Sequence, residues 1–236
     1  MIEFAATSDI GKVRKKNEDS FFVDPEHEIW IVADGVGGNR NGEIASQLTA
    51  QTIDRRVRQG ASIQEAIMDA HKTILKAGED NPDFQGMATT VVVCKIHQNA
   101  WEVSWVGDSR AYQWNGEYLQ RLTRDHNYAQ QLLDEDAISP EDANNHPMRH
   151  VLMHALGSGE IELLRIETVS GSLNDGDQLL LCTDGLCGLV PDSTLEDVLA
   201  QKLSLEKSLD DMIQLALDAG GTDNITAILM RYNKDE

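Results

Sequence analysis

The stretch Ile29-Trp-Ile-Val-Ala-Asp-Gly-Val-Gly-Gly38 decides how the rest of the chain is interpreted. A run of Ile, Trp, Ile, Val and Ala predicts a buried strand. Asp34 stands where this strand ends, and the glycines at 35, 37 and 38 allow a sharp turn and a close approach of the backbone to a ligand. The stretch therefore predicts a buried strand that delivers one carboxylate to the end of a sheet.

The same arrangement occurs twice more. Gln178-Leu-Leu-Leu-Cys-Thr-Asp-Gly-Leu186 is a second apolar run ending in Asp-Gly, and Gly221-Thr-Asp-Asn-Ile-Thr226 puts a third aspartate before another apolar run. One Asp-Gly pair alone is a common turn signal, so a turn-capping role stays open for each. Three carboxylates at the rim of a core are costly unless something pairs with them. Because hard divalent cations prefer oxygen ligands, we expect Asp34, Asp184 and Asp223 to gather around Mg²⁺, Mn²⁺ or Ca²⁺.

Composition excludes several classes of protein. The net charge of -20 over 236 residues argues against nucleic-acid binding, which calls for a basic surface. No window is apolar over the roughly 18 residues of a membrane span. The N-terminal sequence has no secretory signal pattern, and the three cysteines, Cys94, Cys182 and Cys187, are too few and too irregular for a disulfide framework. We therefore expect a cytoplasmic protein.

Lys12-Val-Arg-Lys-Lys16 is a basic island in an acidic chain, followed closely by Glu18 and Asp19. It is either an exposed turn or an anion site. Arg14 either neutralises the two acids or binds a phosphate in the bidentate mode that guanidinium favours, with the acids orienting metal-bound waters. Two cations bridged by one carboxylate would lower the pKa of a shared water, and the resulting hydroxide would attack phosphorus without a protein nucleophile.

The apolar periodicity switches between strand and helix along the chain. Ser62 with Glu65, and Ser193 with Glu196, have the spacing of helix-capping pairs. We expect helices from about 44, 62, 126, 193 and 205, and strands at about 2–9, 20–33, 89–96, 101–105, 163–169, 177–183 and 225–230. Hairpin-linked strands and clustered helices predict an α+β fold in one layered domain, residues 1–236.

Residues 136–160 are polar, weakly periodic and long for a plain connection, which is typical of a functional or weakly ordered segment. They contain His146, His150 and His154, which would share one face of a helix. The spacing lacks the glutamate of the HExxH zinc motif, so a loop role is the simpler interpretation.

With these residues in place, the chain resembles the metal-dependent PPM (type 2C) family of protein serine/threonine phosphatases in its bacterial form. The resemblance runs in family order from about residue 5 to residue 231. The matching stretches are Gly11-Lys-Val-Arg-Lys-Lys-Asn-Glu-Asp-Ser20, Val32-Ala-Asp-Gly-Val-Gly-Gly38, Gly86-Met-Ala-Thr-Thr90, Val106-Gly-Asp-Ser-Arg-Ala-Tyr112, Leu122-Thr-Arg-Asp-His126, Cys182-Thr-Asp-Gly-Leu186 and Gly221-Thr-Asp-Asn-Ile-Thr226.

The resemblance implies a fold and a metal centre. The fold is a four-layer α/β/β/α sandwich of two antiparallel sheets flanked by helices. Asp34 would bridge two Mn²⁺ or Mg²⁺ ions, with the Gly35 carbonyl on one ion and Asp184 and Asp223 on the other. Asp108 would join Asp184 at a third, weaker ion. The residues leave the choice between Mn²⁺ and Mg²⁺ open, because carboxylate and water ligands suit both.

The resemblance also implies roles around the metals. Arg14 matches the phosphate-binding arginine of the family, Glu18 and Asp19 its water-holding acids, and Asn224 their neighbour in the last motif. Residues 136–160 match the flap beside the active site.

One position departs from the eukaryotic pattern, where a histidine after Asp-Gly is thought to protonate the leaving group. Val36 stands here, as in bacterial relatives. The general acid is then a metal-bound water or, less simply, a flap histidine.

The expected function is hydrolysis of phosphoserine and phosphothreonine in proteins by a monomeric enzyme that opposes a bacterial Ser/Thr kinase. A non-catalytic phosphoprotein-binding module is the second hypothesis, although such modules usually lose a ligand and none is lost here. A haloacid-dehalogenase-type phosphatase would need an aspartate two residues before another, and position 32 is valine.

Overall fold

The apolar runs around Ile31, Val93, Leu180 and Ile228 form the central strands of two antiparallel sheets. The computed structural model describes residues 1–36 and 41–234, so Gly37 and Gly38 lie outside the described residues. The first sheet contains, in spatial order, β1 (Ile2–Asp9), β11 (Ile225–Tyr232), β10 (Gln178–Cys182), β7 (Arg110–Trp114) and β8 (Leu119–Arg121). The second contains β2 (Asp19–Asp24), β3 (Ile29–Val36), β5 (Val91–His97), β6 (Ala100–Val106) and β9 (Glu167–Ser172), with the short β4 (Ala88–Thr89) beside the end of β3.

Helices cover the outer face of each sheet. The second sheet is covered by α1 (Gly42–Arg58) and α2 (Ile63–Asp80). The first sheet is covered by α5 (Asp184–Cys187), α6 (Asp192–Ala200) and α7 (Leu205–Asp218). Two short helices, α3 (Tyr128–Asp134) and α4 (Pro140–Asn144), belong to the connection between β8 and β9.

Strand alternation explains why the central runs are apolar throughout. In β3, Ile29 and Ile31 pack toward α1 and α2, whereas Trp30 and Val32 pack between the two sheets. A strand covered on both faces has no polar alternation, even in an antiparallel sheet. Each such side chain contributes about 1.5–3 kcal/mol on burial. The expectation of two antiparallel sheets flanked by helices is confirmed.

Three local predictions meet different outcomes. Ser62 and Glu65 form the capping box that starts α2. The second capping pair is wrong: α6 begins at Asp192 after Pro191, and the Glu196 carboxylate accepts a hydrogen bond from the Leu119 N–H at 2.6 Å instead. The strand expected at 163–169 begins only at 167, because residues 161–163 form a 3₁₀ turn.

The segment 136–160 contains one short helix, α4, whose first turn is capped by Ser139. The rest is irregular, so the three histidines at 146, 150 and 154 do not share one helical face. Over residues 1–36 and 41–234, no helix has the length and apolar character to cross a bilayer.

Candidate active site and metal centre

The carboxylates converge because the strands that carry them end at the same side of the sandwich. Asp19 begins β2 directly opposite Asp34 in β3. Two hydrogen bonds fix the backbone of Asp34. The Thr89 Oγ1 hydroxyl and the Thr90 N–H each donate to the Asp34 carbonyl oxygen, at 2.8 Å. Asp184 follows β10 as the first residue of α5, and Asp223 precedes β11, the neighbour of β10.

The loop that carries the basic island is clamped to the loop before β11. The Lys12 N–H donates to the Gly221 carbonyl at 2.7 Å, and the Glu18 N–H donates to Asn224 Oδ1 at 2.8 Å. Asn224 Nδ2 in turn donates to the carbonyls of Ile10 and Lys16, at 2.9 Å each. Asn224 is thus the residue that joins the two loops.

Arg14 lies on Asp223. Its guanidinium donates to Asp223 Oδ2 at 2.5 Å, and this hydrogen bond raises the pKa of Arg14. The pairing partner is therefore neither Glu18 nor Asp19, which the sequence offered as the simplest partners. Arg14 keeps 41% of its side chain exposed, so a ligand can reach the guanidinium from solvent.

Gly35 is required by close packing. A Cβ there would lie 2.4 Å from the carbonyl of Gly42 and 2.5 Å from that of Glu18. The Gly35 N–H donates to the same Glu18 carbonyl at 3.1 Å. The start of α1 and the loop before β2 therefore close tightly around the last residues of β3. The strand does not end at Asp34 as expected, because Gly35 and Val36 continue it by pairing with β4.

Asp19 is held by a residue that the sequence reasoning did not single out. Thr183 Oγ1 donates to Asp19 Oδ2 at 3.0 Å and accepts from the Thr226 N–H at 3.0 Å. Its position in the Cys-Thr-Asp-Gly motif, directly before Asp184, was the available signal. Within the acid cluster, two buried carboxylate oxygens have no hydrogen-bond partner among the described residues, Asp19 Oδ1 and Asp184 Oδ1.

Burial and neighbouring carboxylates raise the pKa values of three acids in the cluster, Asp34, Asp19 and Asp108. Burial raises the pKa of Asp34 well above its usual range, and the carboxylates of Asp19, Asp184, Asp108 and Asp223 raise it further. Burial, with Thr183 and Thr226 opposing it, raises the pKa of Asp19 to about 7. Burial and then Asp184 raise the pKa of Asp108. Mutual repulsion of this kind is relieved by a bound cation.

The donor set fits hard divalent ions. All the groups are oxygens, and the partnerless Oδ1 atoms of Asp19 and Asp184 point to a missing positive charge. Among the described residues, the carboxylates of Asp34, Asp184 and Asp223 do not all come within 4.8 Å of one another. An ion that contacts all three carboxylates would therefore require these side chains to move closer together.

The one compact acidic group with metal-like spacing in the described part of the chain is Asp24, Glu26 and His27. Asp24 is already neutralised there, since Arg58 lies 2.6 Å and His27 2.8 Å from its Oδ2. This group is an ordinary ion-paired turn.

A cavity of about 520 Å³ opens beside the cluster. Asp108 and Asp184 lie on its inner side, and Pro140, Ala143 and the residues 149–150 of the segment 136–160 lie on its outer side. His150 Nδ1 lies 3.7 Å from Asp184 Oδ2. Among the three histidines of this segment, His150 is the one that makes an ion-pair contact with the acid cluster in the described structure.

A second charged group under this cavity was missed by the sequence reasoning. Asp125 accepts hydrogen bonds from Arg110 Nε and Nη2 at 3.0 and 2.8 Å, and also from Arg121. Asp125 and Arg110 both stand in matched motifs, but no pattern in the sequence pairs them. The pairing needs the hairpin of β7 and β8, which brings residues 110 and 121 to one side.

Comparison with known proteins agrees with this geometry. The family model for protein phosphatase 2C matches residues 12–230. The serine/threonine phosphatase stp of Listeria innocua is 35% identical over 240 residues, covering 96% of this chain and 94% of the relative. The serine/threonine protein phosphatase PstP of Mycobacterium tuberculosis is 35% identical over 97% of this chain and 45% of its own length.

Solved structures are equally similar. The crystal structure of the M. tuberculosis phosphatase PstP/Ppp superimposes with a TM-score of 0.89 at 34% identity, over 98% of this chain and 99% of that one. The catalytic domain of PstP in complex with two manganese ions superimposes with a TM-score of 0.85 at 32% identity, over 98% and 97% of the two chains.

Proposed function

The chain belongs to the protein phosphatase 2C family and is a protein serine/threonine phosphatase, and from that premise we propose how its residues divide the work. Asp34 would be the ligand shared by two Mn²⁺ or Mg²⁺ ions, with the Gly35 carbonyl as a ligand of one ion and Asp184 and Asp223 as ligands of the other. Asp108 and Asp184 would hold a third ion more weakly.

The observation that carries the proposal is the set of buried acids without an internal counter-charge. Asp19 and Asp184 each keep one buried oxygen without a hydrogen-bond partner, and burial together with neighbouring carboxylates raises the pKa values of Asp34, Asp19 and Asp108. Divalent ions held by these residues would supply a water nucleophile that is deprotonated near neutral pH.

Arg14 binds the phosphate of the substrate. The guanidinium is partly exposed and already faces the acid cluster through Asp223. A phosphoryl group on bound cations offers Arg14 a second anionic partner in bidentate geometry. Glu18 and Asp19 would orient water around the ions. The side-chain hydrogen bonds of Asn224 hold the loop that carries Glu18 next to the loop that carries Asp223.

The leaving serine or threonine oxygen needs a proton, and Val36 stands where a histidine donor would be. Solvent held in the site is the first candidate donor. His150 is the second, because it is the flap histidine that contacts Asp184, at 3.7 Å. Residues 1–236 act as one domain in this proposal, and residues 136–160 act as the flap over the cavity.

The biological role follows from the reaction class. We propose a monomeric, cytoplasmic phosphatase that acts on phosphorylated proteins and opposes a Ser/Thr kinase in bacterial signalling. The relatives named as serine/threonine phosphatases support the substrate class. The three cysteines are free buried thiols, as is typical of proteins in reducing compartments.

The decisive experiment compares Asp34→Asn with the control Asp80→Asn, an exposed acid on α2. Removing the bridging carboxylate should lower Mn²⁺-dependent turnover of p-nitrophenyl phosphate and of a phosphothreonine peptide by about a thousandfold or more. The control should keep wild-type turnover, and circular dichroism should show that both variants fold.

Other outcomes separate the alternatives. Undiminished turnover by Asp34→Asn would refute the metal-centred reaction. A wild type that binds phosphopeptide but stays inactive throughout a Mn²⁺ titration would identify a non-catalytic binding module. A phosphoaspartate trapped by borohydride reduction would identify an aspartyl nucleophile.

A further inference from the structure

The basic island has two lysines that no part of the proposed reaction uses. Residues 12–16 hold four of the 20 lysines and arginines of a chain with 40 acidic residues. All five residues of the island are exposed. Lys12 Nζ lies 4.0 Å from Asp218, and Arg14 is paired with Asp223. Within residues 1–36 and 41–234, the side chains of Lys15 and Lys16 make no hydrogen bond or ion pair.

The island is fixed beside the metal centre. Hydrogen bonds hold its backbone to the 221–224 loop at both ends, from Lys12 N–H to Gly221 and from Asn224 Nδ2 to the Lys16 carbonyl. Between them, Arg14 makes a side-chain bond to the proposed metal ligand Asp223. Lys15 and Lys16 are therefore the first and second residues after the phosphate-binding arginine, on a backbone that is anchored rather than loose.

Lys15 and Lys16 directly follow Arg14, the residue proposed to bind the phosphate of a substrate peptide. Adjacent Cα atoms are about 3.8 Å apart, and a bound extended peptide advances about 3.3–3.6 Å per residue. A lysine one or two positions from Arg14 thus covers substrate residues close to the phosphorylated one. The chain as a whole carries a charge of -20, so an acidic peptide is repelled everywhere except at a local positive patch.

We propose that Lys15 and Lys16 form a substrate-selecting surface, which recognises acidic residues flanking the phosphoserine or phosphothreonine of the protein substrate. This inference rests on the proposed phosphatase function. Exposed lysines attract carboxylates over about a Debye length, which raises the association rate and the preference among substrates rather than the rate of the chemical step.

The test uses two phosphothreonine peptides of equal length, one with acidic and one with neutral flanking residues. The variant Lys15→Glu/Lys16→Glu is compared with Lys72→Glu/Lys202→Glu, which makes the same change in net charge at exposed lysines outside the site. Turnover of p-nitrophenyl phosphate, which has no flanking residues, reports whether the reaction itself is intact.

The ratio of kcat/KM for the acidic peptide to that for the neutral peptide should fall about five-fold or more in Lys15→Glu/Lys16→Glu and stay near the wild-type value in the control. Added salt should reduce the ratio in the wild type and have little effect in this variant. Lys15→Arg/Lys16→Arg should keep the wild-type ratio, because the charge is retained.

An equal ratio in Lys15→Glu/Lys16→Glu and in the control would overturn the inference. Failure of the proposed function has a different signature, since the wild type would then turn over neither the peptides nor p-nitrophenyl phosphate. Fluorescence anisotropy with the same peptides decides the lysine inference even in that case, because selective weakening of acidic-peptide binding needs no turnover.

Discussion

Asp125 and Asp184 both lie beside the same cavity, yet the fold treats them in opposite ways. Asp125 is enclosed by two guanidinium groups, with Arg110 making two hydrogen bonds of 3.0 and 2.8 Å and Arg121 a third contact. Asp184 keeps a buried Oδ1 without any partner and faces further carboxylates.

The difference teaches how to recognise a site for an external cation. This chain has arginines available and uses them where a buried carboxylate serves the structure, as at Asp125 and at Asp24, which Arg58 contacts. Burying Asp19, Asp34 and Asp108 with raised pKa values costs stability unless a further positive charge is supplied. The raised pKa values of these buried acids are therefore the informative feature, more than the presence of acids.

The largest expected effect on stability comes from removing the Asp125 carboxylate, which pairs with Arg110 and Arg121. Asp125→Asn keeps the shape of the side chain but leaves Arg110, which is 16% exposed, with only the more distant carboxylate of Asp192, at 3.8 Å. Removing one partner of a buried ion pair typically costs about 3–5 kcal/mol. We expect a loss of that size in the free energy of unfolding, measured by denaturant titration without added metal.

The matched substitution in the acid cluster, Asp184→Asn, should not lower the free energy of unfolding. Asp184→Asn removes repulsion without stranding a cation, so the metal-free protein should be as stable as the wild type or more stable. A similar loss of stability in Asp125→Asn and Asp184→Asn would contradict the proposed difference between the ion-paired Asp125 and the acid cluster.

The next largest effect on stability comes from the protonation of a buried histidine, His126. His126 Nδ1 accepts from the Gly107 N–H at 3.2 Å, and its Nε2 lies 3.4 Å from Glu167. The pKa of His126 is lowered to about 4: burial is the main cause, His154 and Arg165 act in the same direction, and Glu167 opposes them. The folded protein therefore keeps His126 neutral at pH values where the unfolded chain binds a proton.

The sign follows from that difference. Stability attributable to neutral His126 is complete above about pH 6.5 and is lost as the pH falls toward about 4, by roughly 3 kcal/mol in total. The difference in unfolding free energy between the wild type and His126→Gln, measured across this range, isolates the contribution of His126 from that of other titrating groups. A difference that does not change with pH would contradict the prediction.

The smallest expected effect is the stabilisation of the protein when Mn²⁺ supplies a positive charge to the acid cluster. Mn²⁺ at about a hundred times its dissociation constant should stabilise the protein by about 2.7 kcal/mol, which corresponds to a rise in Tm of about 5–11 °C. Differential scanning fluorimetry with and without a chelator measures it. The rise should be much smaller in Asp34→Asn, whereas Asp80→Asn should keep the full rise.

The sequence was sufficient for the framework because burial leaves a readable pattern. The apolar run before Asp34 predicted a core strand, and the Ser62–Glu65 pair predicted the start of α2. The second capping pair failed: Ser193 has the correct spacing, but Pro191 occupies the N-cap position two residues earlier and the helix begins at Asp192. A local capping pattern alone therefore does not fix where a helix begins.

The candidate site divides in the same way. Asp34, Asp184 and Asp223 were recognisable because each interrupts an apolar run, and Arg14 because it stands in a basic island. The partner of Arg14 was not predictable, because Asp223 is 209 residues away along the chain. Nor did the sequence indicate that Asn224 joins the two loops or that Thr183 holds Asp19.

By itself, the order of apolar and acidic residues determined which strands lie in the core and which carboxylates stand at their ends, because hydrophobic burial and backbone geometry act over a few neighbouring residues. Only the tertiary structure decided which acids receive an arginine and which are left to one another. That choice depends on contacts between strands and loops far apart in sequence, and the energy of each charge depends on everything that surrounds it.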